Sequence, residues 1–71
     1  MNKPLAEIIQ KNWRRLAGLA LIVWDELTLD ELLKSGGDEQ KLTNLVQQRY
    51  EMPREDANKQ VMSFFERHRT I

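Results

Sequence analysis

Leu5, Ile9, Trp13, Leu16, Ala20 and Val23 follow one another at steps of four, four, three, four and three residues. At 3.6 residues per turn such steps keep side chains on one stripe, so the spacing predicts a helix from Leu5 to about Trp24 or Asp25 with that stripe against the core. Pro4 suits its first turn, where a missing amide donor costs nothing. Ile8, Leu19 and Ile22 form a second apolar set to one side of the first, and Leu21 falls on yet another side. The apolar surface is therefore wider than one packing neighbour needs. Gly18 stands mid-helix at a cost of about 1 kcal/mol against alanine. Close approach of a backbone or a large side chain is the expected reason, with Trp13 and Trp24 as candidates.

The remaining chain divides at clear local signals. Thr28 and Glu31 have the spacing of a capping box, with Leu27 and Leu32 as its hydrophobic staple, so a second helix is predicted to start at Leu29. Gly36 and Gly37 offer the left-handed conformation that ends it. Asp38 caps a third helix, with Leu42, Leu45, Val46 and Tyr50 on its inner stripe and Arg49 among them, ending near Tyr50. Pro53 holds Met52 extended and marks the start of a fourth, with Glu55 and Asp56 at its positive end. Its stripe is Ala57, Val61, Phe64, Phe65 and His68, and Arg67, His68 and Arg69 suit its negative end. Short links make sequential helices neighbours, so the expectation is one all-α domain of four helices over residues 1–71.

Composition narrows the function more than it identifies one. A chain of 71 residues supplies only about 3–5 kcal/mol from its core, so nearly every large apolar side chain is expected to pack. Eleven basic residues balance eleven acidic ones, which argues against polyanion binding as the main driving force. Without cysteine there is no disulfide, thiolate metal site or thiol nucleophile, which fits a reducing compartment. Neither a secretory signal nor a transmembrane span is expected. The charge-free run Leu16 to Trp24 is far short of the ~20 residues a bilayer requires.

Candidate chemistry is sparse. His68 is the one histidine, best read as a partner for a helix C-terminus, and neither a zinc site nor a triad with Ser35 or Ser63 is expected. Asp25-Glu26, Asp30-Glu31 and Glu55-Asp56 read as helix starts and solvated faces. Gly36-Gly37 lacks the lysine and the preceding strand of a phosphate loop. No catalytic residue, metal, cofactor or small-molecule substrate is expected.

Trp13, Leu16, Gly18, Trp24, Leu27-Thr28, Asp30-Glu31, Gly37, Leu42, Gln47, Arg49-Tyr50, Arg54-Glu55-Asp56-Ala57 and Lys59-Gln60-Val61 together carry a resemblance. In order and spacing they resemble the CsbD-like family of small bacterial stress-response proteins, over about residues 12–66. The resemblance implies a domain of two α-hairpins packed across each other, similar to the SAM-domain-like arrangement. It also implies a bacterial, cytoplasmic setting and a rise in amount under general stress, and it carries over no catalytic residue. Three departures stand out. The family's lysine run after the glycine is here Leu19, Ala20, Leu21, Ile22 and Val23; the glycine after Arg-Tyr is Glu51; and Pro53 replaces a hydroxyl cap.

The first departure exchanges a charged surface for an apolar one. Leu19, Leu21 and Ile22 are accordingly the candidate partner surface, for a second copy or another protein, unless the second to fourth helices cover them all. The alternative is contact with nucleic acid or an anionic membrane surface through Lys11, Arg14 and Arg15, against which the neutral and dispersed charge weighs.

Overall fold

The computed structural model describes residues 4–69. They form five helices: α1 (Leu5–Lys11), α2 (Trp13–Val23), α3 (Leu29–Ser35), α4 (Glu39–Tyr50) and α5 (Arg54–Arg67). Among the described residues there is no strand, and the fold is all-α.

There are five helices where periodicity predicts four because the first one breaks at Asn12. The side-chain Nδ2 of Asn12 donates to the Ile8 carbonyl at 2.9 Å, an acceptor its own backbone amide reaches only at 3.3 Å. A side-chain amide that competes for a backbone carbonyl bends the helix, and Asn12 sits outside the helical region at φ −105° and ψ 15°. Its carbonyl still accepts from the Arg15 and Leu16 amides at 3.1 and 3.0 Å, so α2 begins where α1 stops.

The core is the face of α2 closed over by the other helices. Ile9, Trp13, Leu16, Ala17, Ala20, Trp24 and Leu27 are buried with Leu32, Leu42, Val46, Ala57, Val61, Phe64 and Phe65. Phe64 meets both indoles, with centroids 6.4 Å from Trp13 and 5.2 Å from Trp24. Each indole N–H has an acceptor, as a buried one requires: Trp13 donates to the Leu32 carbonyl at 2.6 Å and Trp24 to Oε1 of Gln60 at 3.0 Å. The hydroxyl of Ser35 donates to the same Leu32 carbonyl at 2.6 Å. Helices α2 and α3 are neighbours, as are α4 and α5, while α1 rests on α5.

Two expectations about the first helix are corrected. Val23, placed by periodicity on the inner stripe, is 47% exposed. Helix α2 ends there, and Trp24 leaves helical geometry at φ −117° and ψ 72° to turn its ring inward. Ala17 takes the inner position on α2 instead. Gly18, expected to sit beneath a tryptophan, is exposed, and a Cβ built on it would meet nothing within 4 Å. The glycine that accommodates an indole is Gly37, at φ +76°, where a Cβ would stand 3.1 Å from the Trp13 ring.

The capping signals correspond to real bonds. Thr28 Oγ1 accepts from the Glu31 amide at 3.1 Å and Glu31 Oε1 accepts from the Thr28 amide at 3.0 Å, which closes the capping box. Asp38 accepts from the Lys41 amide at 2.9 Å. Helix α4 ends at Tyr50, and Glu51 takes the left-handed conformation at φ 49° and ψ 52°. The expectation that nearly all large apolar side chains are packed fails at five residues. Leu19, Ile22, Val23, Leu29 and Leu33 all remain exposed.

Candidate protein-interaction surface

Three of those five lie together at the end of α2. Leu19 and Ile22 are three residues apart and Leu19 and Val23 four apart, the spacings at which helical side chains are surface neighbours. Ile22 is 77% exposed, which is unusual for so large an aliphatic side chain on a chain with so little core to spare. Arg15 lies four residues before Leu19 and continues the row toward the start of α2.

Leu21 does not join this surface. Two residues from Leu19, it points to a different flank of α2 and lies half-buried against the core. Of the three residues singled out in the sequence, the structure thus brings two together and adds Val23 to them. Periodicity puts Val23 on the inner stripe because it assumes a helix that continues through Trp24.

Beside Val23 the surface dips into an open groove of about 350 Å³ between the end of α2 and α5. Val23 and Phe64 supply its apolar floor, and Lys59, Gln60, Ser63 and Arg67 of α5 form its other wall. The turn after α2 begins just past Val23 and carries two exposed carboxylates, Asp25 and Glu26.

That turn is held from the far end of α4. The hydroxyl of Tyr50 accepts from the Glu26 amide at 2.9 Å and lies 3.4 Å from the Asp25 carboxylate. The guanidinium of Arg49 donates to the Glu26 carbonyl and pairs with Glu31. The Thr28 amide, together with Arg49, holds the Glu31 carboxyl below its usual range, since donors stabilise the charged form. Sequence reasoning placed Arg49 and Tyr50 only on a stripe. Their shared task cannot be read from spacing, since their partners lie 18 to 25 residues away in the chain.

The basic trio is dispersed. Lys11 ends α1, while Arg14 and Arg15 follow the break at Asn12; all three are exposed, and among the described residues none forms an ion pair. A second groove of about 290 Å³ lies between α3 and α4, with Lys34, Ser35, Lys41 and Leu45 among its walls. Ser35, its buried polar residue, already spends its hydroxyl on the Leu32 carbonyl, and Glu31, Asn44 and Gln48 complete a mostly polar lining. Among the described residues no three His, Asp or Glu side chains gather as metal ligands. No described helix is long and apolar enough to cross a membrane.

No protein-family model matches the chain, and no solved structure does. Curated bacterial proteins do. A UPF0337 protein of Bordetella pertussis is 39% identical over 62 residues, covering 87% of this chain and 94% of that protein. One of Nitrosomonas europaea is 36% identical over 56 residues, covering 79% of this chain and 60% of its own length. A third, of Pseudomonas aeruginosa, is 31% identical over 62 residues, covering 87% of this chain and 95% of its own. With such identity along most of both chains, and with the residue pattern set out above, the protein belongs to the UPF0337 family, the CsbD-like proteins.

Proposed function

We propose that this protein works without catalysis, by self-association through the exposed apolar end of α2. The observation that carries the reading is the cluster of Leu19, Ile22 and Val23 on one surface, with Ile22 77% exposed. Contiguous exposed hydrocarbon on a small domain marks an interaction site. A net charge of zero removes the long-range repulsion that would keep copies apart. The same residues stand where the CsbD-like pattern carries lysines, so the surface sets this chain apart from that pattern. The cytoplasmic, general-stress setting implied by the resemblance belongs to the same proposal.

Mass measured by light scattering across concentration tests the reading. The wild type is expected to rise from monomer toward dimer, and Ile22→Glu to stay monomeric with an unchanged helical circular dichroism spectrum. A wild type that remains monomeric up to millimolar concentration would refute it.

A further inference from the structure

The same surface holds a projection beside a recess. Ile22 stands out from α2, and the adjoining residue, Val23, lines the groove of about 350 Å³ against α5. We infer that two copies pair about a two-fold axis, each inserting Ile22 into the groove that Val23, Phe64 and Ser63 line in the other. The inference rests on the self-association reading and gives it a geometry.

Symmetry favours this arrangement. When projection and recess belong to one patch, a two-fold axis satisfies both at once and the assembly closes as a dimer. Separate patches would instead give a head-to-tail ring or filament. Charge favours it too. Three and four residues past the projection come exposed Asp25 and Glu26, while the α5 wall of the recess carries Lys59 and Arg67. Among the described residues Asp25, Glu26 and Arg67 form no ion pair, and Lys59 is only loosely held by Glu55 at 3.8 Å. Insertion of Ile22 brings the acidic turn of one copy toward the basic wall of the other. Charges so placed set register and suppress other docking modes.

The test is sedimentation velocity over a concentration series on the wild type, Ile22→Glu, Ser63→Trp, Arg67→Glu, Glu26→Arg and the Glu26→Arg/Arg67→Glu double variant. Ser63 and Ile22 are exposed, so neither change disturbs the core, and a thermal melt of each variant confirms folding. Ile22→Glu is expected to weaken the dimer about a hundredfold, because each dimer contains the contact twice. Ser63→Trp, which fills the recess, should act similarly. Each single charge reversal should weaken it about tenfold and the double reversal should recover most of that loss. A dimer that Ile22→Glu dissociates but Ser63→Trp and Arg67→Glu leave intact overturns this geometry and keeps the self-association reading. Failure of the double variant to recover also overturns it. A monomeric wild type overturns both.

Discussion

Gly37 lies flat against the indole of Trp13: a Cβ on it would approach ring atom Cδ2 to 3.1 Å, and its φ of +76° is one that side chains rarely adopt. The turn between α3 and α4 can close over α2 only because that residue has no side chain. Gly37→Ala therefore combines left-handed strain with overpacking and should cost roughly 2–4 kcal/mol. That approaches the whole stability of such a domain, about 3–5 kcal/mol. Urea melts followed by tryptophan fluorescence check it; a loss below the resolution of the melt contradicts the assignment.

Gly18 predicts the opposite sign. Its α2 position is helical and exposed, with open space where a Cβ would go. Gly18→Ala should stabilise by about 0.5–1 kcal/mol by restricting the unfolded chain and favouring the helix. A thermal melt at low protein concentration isolates this from association.

Glu51 carries a left-handed backbone without being glycine. For an L-residue that conformation costs about 1–2 kcal/mol, partly offset because glycine loses more entropy on folding. Glu51→Gly is expected to raise stability by roughly 0.5–1 kcal/mol, read as a higher urea midpoint at unchanged slope.

Glu31 links stability to pH. Its carboxyl is held below the ordinary value of 4.5 by the Thr28 amide first and by Arg49 after it. A carboxylate whose folded pKa is depressed contributes fully above its unfolded pKa, and the contribution disappears as pH falls through the folded one. The urea midpoint should therefore decline below about pH 4.5. In Glu31→Gln, which keeps an acceptor for the cap but cannot ionise, that acid limb should be shallower. Parallel limbs would contradict the role given to Glu31.

The elements governed by neighbours in the chain were legible from sequence. Thr28 with Glu31, Asp38, and Pro53 each act within one helical turn, so spacing alone identifies them. What escaped depends on geometry beyond that range. Asn12 offered no periodic signal, because the break turns on a choice between two donors for the Ile8 carbonyl. Spacing offers Gly18 to Trp13 or Trp24, but the glycine that meets an indole, Gly37, arrives from the turn after α3, more than twenty positions from Trp13. The apolar surplus on α2 was visible, and two of its three named residues are at the surface. Deciding between Leu21 and Val23 required knowing where α2 ends and on which side α5 lies.

The grip of Arg49 and Tyr50 on the Asp25–Glu26 turn has a consequence for how the molecule comes apart. The α2–α3 pair is fastened at its elbow by the tail of α4, and α4 is in turn laid along α5. Fraying at the close of α4 unhooks the elbow, frees the row that ends in Ile22, and loosens both halves together. Amide protons of residues 24–28 and of the last turn of α4 should then share a single rate of exchange with solvent, like two ends of one buckle.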